Sequence, residues 1–501
     1  MVAIAFNVRA QSALEPSATS GARIALTIEP RISATETFTS NGQLSGSNPK
    51  SEQITEISPG IHISSNGGRV RGYLDYSLSG VAYAQDSSAN GHSQSLNAAA
   101  TVVAIENRAF LDVSGVISRQ AVSAFGTQSV GSALANANSN LSETSSYRLS
   151  PYVHGQVGDA ANYEARYSLM SSRTDSSAAS DVTTKDWSLR LGGGSSFSRL
   201  AWSVEATRQN ADYDAGRDTE ADLFRASLTY AFMPQFSLTA IGLSESNNYT
   251  ALTKETHHSG GWGANWSPSD RTKLSFVREN RFFGESHSLS FEHRTGRTVW
   301  RFSDSKDVSV APNQATTASL GSIYDLFFSQ FATVEPDPVK RSQIVNSFLQ
   351  ANGINSGATV TQSYLTSAVS LQRRQDLSVA LLGVRDTITV LISRGEGSQL
   401  DTVLGVSNDF ATSAVVRQVG LSVNYSHRLS PEASINLTGS QQNASGTSSD
   451  QDTTLRALLL NVSTSVGPRT TLTFGGRRVV FQSSTTPYNE TAVTCSLLMR
   501  F

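Results

Sequence analysis

The chain has 501 residues, a formal net charge of −2 and 16% charged residues, against about 25% in an ordinary soluble protein. The near-neutral balance gives no warrant for a nucleic-acid partner, the single cysteine, Cys495, excludes an internal disulfide, and no apolar run reaches the length of a transmembrane helix. The remainder, 38% hydrophobic and rich in Ser, Thr, Asn, Gly and Ala, suits strands that face lipid on one side and a polar lumen on the other, although a long secreted β-solenoid has a similar composition.

At the N-terminus, residues 1–21 read as a leader remnant and linker. Val2 to Phe6 is a short apolar run, Val8-Arg9-Ala10 resembles the end of a signal-peptide cleavage site, and a Ser-, Ala- and Gly-rich stretch follows. The expectation is that a longer leader precedes the start given.

From residue 22 to 501 one unit recurs: strand, tight turn, strand, longer polar loop. The first strand region is 23–39, with a bend expected at Pro30, and the second is 54–65. Asn66-Gly67-Gly68 is a hairpin turn signal, because Asn and Gly accept positive φ. In the strand that follows, Val70, Gly72, Leu74, Tyr76 and Leu78 alternate with Arg69, Arg71, Tyr73, Asp75 and Ser77, the period-two signature of a two-faced strand. Leu74 should therefore meet lipid and Asp75 the lumen. An arginine at 75 would then only change the lumen's charge.

The same alternation marks 109–120, 222–232 and 415–426. Short turns are expected at 106–108, 158–160, 196–199, 233–235, 267–271, 295–297, 373–376, 430–432 and 468–469. Longer connections are expected at 127–146, 174–184, 210–218, 247–257, 395–411 and 444–452. Sorting of short and long connections to opposite ends is the pattern of an outer-membrane barrel. A soluble sandwich gives no reason for it.

One insert, about 311–361, breaks the period. Ile323, Leu326, Phe327 and Phe331 recur at helical spacing, Asp337-Pro338 reads as a helix start, and Ile344, Val345, Phe348 and Leu349 form an apolar stripe. The insert either plugs the pore or packs as a surface loop.

The last stretch, Glu490 to Phe501, places Val493, Cys495, Leu497, Met499 and Phe501 on one face and Ala492, Thr494, Ser496, Leu498 and Arg500 on the other. It is the expected closing strand, with Leu497, Met499 and Phe501 as its lipid face; an edge strand of a soluble sandwich would carry the same pattern. The predicted fold is an all-β transmembrane antiparallel barrel of about 22 strands, in a range of roughly 18 to 24, with both termini periplasmic and one helical loop insert.

Alternation nominates Arg69, Arg71, Asp75, Glu164, Arg166, Arg190, Glu205, Arg225, Lys273, Arg477 and Arg500 as pore-lining charges. They would either shape the field along a pore or bridge one another. Tyr83, Phe110, Tyr147, Trp187, Trp202 and Phe232 are candidates for aromatic girdles or equally for ordinary strand aromatics.

No catalytic set, cofactor or metal site is expected. His257 and His258 are adjacent on a strand and point to opposite faces, Gly192 to Gly194 lacks the lysine of a phosphate loop, and no Gly-x-Ser-x-Gly occurs.

Four strings join irregular features: ITEISPGIHISSNGGRVRGYLDYSLSGVAYA (54–84), AFLDVSGVISRQAVSAFG (109–126), DLFFSQFATVEPDPVKRSQIVNSFLQANGI (325–354) and LQRRQDLSVALLGVRDTITVLISR (371–394). On these the chain resembles the outer-membrane protein family associated with PEP-CTERM sorting systems, from about residue 25 to the end. It departs from the family in lacking a clear leader. The resemblance implies an outer-membrane location beside exopolysaccharide genes; it supplies neither an activity nor catalytic residues. The expected function is a porin-like channel for exopolysaccharide or other hydrophilic solutes. The alternatives are a non-conducting scaffold for surface polysaccharide machinery and, less favoured, a barrel hydrolase. Expected partners are outer-membrane lipids, the barrel-assembly machinery and polysaccharide.

Overall fold

The computed structural model of the chain describes residues 26–130, 136–158, 161–177, 179–193, 199–310, 364–366, 369–400 and 409–501. The expected insert helices lie outside these residues, as does the linker.

Twenty-two strands form a single sheet. They are β1 Leu26–Thr39, β2 Glu52–Gly67, β3 Val70–Tyr83, β4 Gly91–Ile105, β5 Ala109–Ala121, β6 Leu141–Val157, β7 Ala161–Thr174, β8 Val182–Gly193, β9 Leu200–Tyr213, β10 Thr219–Met233 and β11 Phe236–Asn247. The second half holds β12 Glu255–Ser269, β13 Thr272–Arg281, β14 Gly284–Arg294, β15 Thr298–Ser309, β16 Ser370–Leu382, β17 Asp386–Gln399, β18 Val415–Arg428, β19 Ala433–Ser445, β20 Thr453–Gly467, β21 Thr470–Ser483 and β22 Tyr488–Arg500. A one-turn helix, α1, spans Asp409–Thr412.

Each strand pairs antiparallel with the next, and the ring closes because β22 pairs with β1 from Arg31↔Arg500 to Thr39↔Ala492. Across that seam Thr35 and Ser496 share a hydroxyl hydrogen bond of 2.8 Å, and the Phe501 N–H donates to the Pro30 carbonyl at 2.9 Å. Closure removes the two unpaired edges that a 22-strand open sheet would carry; in hydrocarbon, where no water replaces a missing partner, this is the condition for a spanning sheet. β1 keeps its register with β2 through Pro30, the site of the expected bend. The proline carbonyl still accepts, and the neighbouring residues keep the register Glu29↔His62 and Arg31↔Gly60.

The sheet's two faces follow the sequence alternation. In β18, Val419, Leu421, Val423 and Tyr425 are 38–43% exposed, whereas Gln418, Ser422, Asn424 and Ser426 between them are at most 9% exposed. The exposed face is the barrel's exterior and forms an apolar belt. Phe224, Leu228, Trp262, Leu458, Val493, Leu497, Met499 and Phe501 share it. Of the six girdle candidates, Tyr147, Trp187, Trp202 and Phe232 face outward. Tyr83 and Phe110 do not. Tyr83 is buried on the inner side with Ile54 and Val81, and Phe110 stacks on Tyr152 inside the lumen.

The connections sort by end. Turns at 68–69, 106–108, 234–235, 270–271, 295–297, 383–385 and 468–469 lie at one end, and longer connections such as 40–51, 84–90 and 446–452 at the other, where the two-residue link 282–283 is a short exception. Gly68, at φ 64, supplies the positive φ that the first hairpin turn needs. The turn expected at 373–376 is not there. Those residues are interior to β16, and the chain reverses at 383–385. The charge-rich string Arg373-Arg374-Gln375-Asp376 looks like a loop, yet it alternates outward and inward like any strand.

The apolar core lies inside the barrel at the long-loop end. There Leu44, Leu455, Ala457, Val479, Phe481 and Tyr488 form one buried cluster, and Ala124, Tyr364, Phe410, Val416 and Ala444 another. A simple rule of greasy outside and polar inside therefore fails near this mouth, because loops fold inward and dry it.

Candidate functional site: the inner wall and the loop across its mouth

The inner wall carries paired charges, several of which bridge strands two or three places apart because inward curvature brings the tips of long side chains together. Arg31 on β1 reaches over β2 to Asp75 on β3, with Nη1 donating to Oδ2 at 2.9 Å, and His62 Nδ1 sits 3.3 Å from the same carboxylate. Arg166 on β7 donates to Asp112 on β5 at 2.7 Å and to Glu164 at 3.3 Å, while its guanidinium lies 3.9 Å from the centre of the Tyr152 ring. Arg190 donates twice to Glu205, at 3.0 and 2.9 Å. Arg225 on β10 pairs with Glu279 on β13 at 2.6 Å, and Arg281 pairs with Glu245 at 2.7 Å and Asp307 at 3.3 Å.

Most of the nominated charges thus face inward. Arg71 and Lys273 do so near the short-turn end, where Lys273 stands opposite Glu292 in register, and Arg500 stands opposite Arg31 at the seam. Arg69 is the exception: it lies exposed in the turn between β2 and β3. Asp75 is also not a free lumen charge. An arginine there would face Arg31 in place of its partner, so the sequence-based expectation of a neutral change at 75 does not hold.

The inner wall is unequal around the ring. Through their middle rows β17–β19 present uncharged residues, among them Thr389, Ser393, Asn424 and Asn436, all 5% exposed or less. Asn424 donates to Asn436 at 2.7 Å and to Thr438 at 2.8 Å.

The connection between β5 and β6, described over 122–130 and 136–140, decides the shape of the mouth. It leaves β5 and returns to β6, yet it touches β18, β19, β21, β22 and the loop after β1. β5 and β18 are far apart round the ring, so these contacts require the loop to lie across the opening. Three attachments hold it. At the first, Asp409 in α1 accepts from Ser123 Oγ at 2.6 Å and from the Ala124 N–H at 2.7 Å, while Ala124 packs in the Tyr364–Phe410–Val416–Ala444 cluster. At the second, Tyr488 Oη donates to the Gln128 carbonyl at 2.5 Å, and Val130 packs on the cluster around Phe481.

The third attachment is ionic and buried. Arg477 on β21 and Glu490 on β22 pair at 2.6 Å with side chains 6% and 1% exposed. Asn136 is clamped between them, donating to Glu490 at 2.9 Å and accepting from Arg477 at 2.7 Å. Thr39 Oγ1 adds a donation to Glu490 at 2.7 Å, and the Ala137 N–H donates to the Gly42 carbonyl at 3.1 Å. Arg477, nominated as pore-lining, is inward-facing but committed to this anchor. Within the loop, Asn138 and Asn140 side chains bind backbone carbonyls at Thr127 and Ser123, giving the segment a scaffold of its own.

Sequence reasoning passed over Arg31, Asp112, Glu245, Glu279, Arg281, Asp307, Asn136 and Glu490. Alternation within the same strands contains most of them. Asn136 carries no such signal, because its role depends on a loop docking between two strands far away in sequence.

Burial pushes the Asp409 carboxyl above the usual carboxylate range, and hydrogen bonds from Ser123 and Ala124 pull it back only in part. The Tyr364 phenol is the other titratable group against this site, itself pushed up by burial. A carboxyl whose pKa rises on docking favours the docked state when protonated. Docking is therefore strongest below the ordinary carboxylate pKa and weakens as pH rises through the raised value. If the barrel conducts, its current is expected to fall as pH drops through the raised Asp409 value toward the ordinary carboxylate range, and Asp409→Asn to flatten that dependence. Equal slopes in the two proteins, recorded in planar bilayers, would exclude the role.

No family model matches the sequence, and no curated relative matches it. Among solved structures, the chain is similar to the siderophore receptor PirA from Pseudomonas aeruginosa, at 11% identity over 95% of this chain and 80% of that one, TM-score 0.44. It is also similar to the FrpB iron transporter from Neisseria meningitidis, at 9% identity over 94% and 81%, TM-score 0.49. A third is BauA, the ferric preacinetobactin receptor from Acinetobacter baumannii, at 11% identity over 94% and 80%, TM-score 0.45. Identities this low say nothing about cargo.

Proposed function

We propose that this protein is an outer-membrane channel for hydrophilic solutes, with the long loops on the cell surface and both termini periplasmic. The observation that carries the reading is the closed ring of 22 strands with an apolar exterior belt and an inner wall of paired charges, hydroxyls and amides. A barrel of this strand number encloses more space than its own side chains fill. Lumen charges held in pairs shape the local field while leaving the wall close to neutral, which suits polar solutes of low charge better than selection of one ion sign. Exopolysaccharide is the proposed cargo on the strength of the resemblance to PEP-CTERM-associated proteins.

A second reading has its own support. The loop 122–140 lies across the mouth on buried anchors, and a barrel sealed there would serve as a surface scaffold. Single-channel recording separates the two. The channel reading expects discrete conductance steps from the purified protein, and a bilayer that stays silent at all voltages would leave the scaffold. Deletion of the gene with measurement of secreted polysaccharide tests the cargo; unchanged secretion would remove it.

A further inference from the structure

On β15–β18 the barrel's exterior carries a basic patch at the long-loop margin of the apolar belt. One outward row reads Lys306↔Arg373↔Glu396↔Arg417 across the four strands, and the row nearer the belt reads Asp304↔Gln375↔Arg394↔Val419. Below these lies Phe302↔Leu377↔Ile392↔Leu421, wholly apolar. Four permanent cations thus share two carboxylates on one surface.

The carboxylates are already taken. Asp304 receives Arg373 at 3.2 Å, Gln375 at 2.8 Å and His287 at 3.1 Å, and Glu396 receives Arg417 at 3.2 Å. Among the described residues, Lys306 and Arg394 have no ion pair or side-chain hydrogen bond. Lys306 moreover stands directly opposite Arg373, and like charges opposed across a pair of strands destabilise it. Elsewhere on the same rim some cations have carboxylate partners, as where Lys185 pairs with Asp212 at 2.8 Å and Lys254 with Glu220 at 2.7 Å.

We propose that this patch binds a phosphorylated lipid of the leaflet at the long-loop end. A phosphate between Lys306, Arg373 and Arg394 offsets the opposed charges through charge-assisted hydrogen bonds, and the lipid's acyl chains run down over Ile392 and Leu421, 41% and 43% exposed. The apolar row directly beneath is what favours a lipid over free phosphate. The inference needs the barrel to sit in a membrane but not to conduct, so it stands or falls separately from the channel reading.

The test uses the full chain in zwitterionic detergent, titrated with diphosphorylated lipid A and read by native mass spectrometry and thermal unfolding. The double variant Lys306→Gln with Arg394→Gln is expected to bind lipid A at least about tenfold more weakly, while Lys185→Gln leaves binding unchanged. Without lipid the double variant is expected to unfold no lower than the parent, because the opposed charges are gone; a merely structural role for the two cations predicts the reverse. If the double variant fails to fold, Lys306→Gln alone carries the test with the same signs. Lipid A retained at parental affinity would overturn the proposal. So would equal protection by inorganic phosphate or by phosphatidylcholine vesicles.

Discussion

Glu490→Ala is expected to open the barrel's mouth and to lower its stability at once. Removing the carboxylate leaves the Arg477 guanidinium, 6% exposed, without its ionic partner, and breaking a buried pair in this way costs about 3–5 kcal/mol. It also takes the acceptor from Asn136 and Thr39, so the far end of the loop 122–140 loses its main attachment. The expected readouts are a higher single-channel conductance and faster proteolysis within the loop. The paired change Arg477→Met with Glu490→Leu separates the two effects. It removes both charges, so little stability is lost, yet Asn136 keeps only its 3.5 Å donation to the Asn41 carbonyl. Conductance should rise in this variant as in the single one. Parental conductance with a protease-resistant loop would show that Asn136 is not what fastens it.

The second large effect concerns the two faces of the wall. Leu74→Arg places a guanidinium on the outward row Ile63↔Leu74↔Ala98, within the belt, at a cost of about 2–4 kcal/mol near the membrane midplane. Ser95→Arg, inward on β4 opposite Ser77 and exposed to the lumen, is expected to leave folding intact. Asp75→Arg is the instructive third case. It also faces inward, but it sets two guanidiniums against each other where Arg31 now holds Asp75 at 2.9 Å. Urea unfolding in lipid vesicles should rank the stabilities Ser95→Arg, then Asp75→Arg, with Leu74→Arg failing to assemble or unfolding first. Equal midpoints for Leu74→Arg and Ser95→Arg would mean that the faces are assigned wrongly.

The architecture was legible in the sequence because a strand's side-chain period is two and a barrel sorts most of that period along its middle rows, inward Leu391 being an exception. Val419, Leu421, Val423 and Tyr425 had to share a face wherever β18 lay, and so did Val493 through Phe501 on the closing strand. Boundaries were less secure where charge imitated a loop. The Arg373 to Asp376 string read as a turn because three of its four residues are charged, and only pairing with β15 and β17 shows Arg373 outward and Asp376 inward. Tyr83 and Phe110 stayed open in the sequence for a related reason: an aromatic near a strand end suits a membrane interface or a dry interior equally well, and the neighbours decide.

What the amino-acid order determined by itself is local: the alternation, the turn residues, the division into short and long connections, and from these the closed all-β wall with charged residues inside it. What the tertiary structure decided is pairing at a distance. Arg31 with Asp75, Arg225 with Glu279, and Asn136 between Arg477 and Glu490 are juxtapositions of residues 44, 54, 354 and 341 positions apart. Nothing in the spacing of such residues encodes their meeting. It follows from ring closure and curvature, which carry strands from opposite ends of the chain to one seam and allow a loop rooted on β5 to reach β18 across the opening.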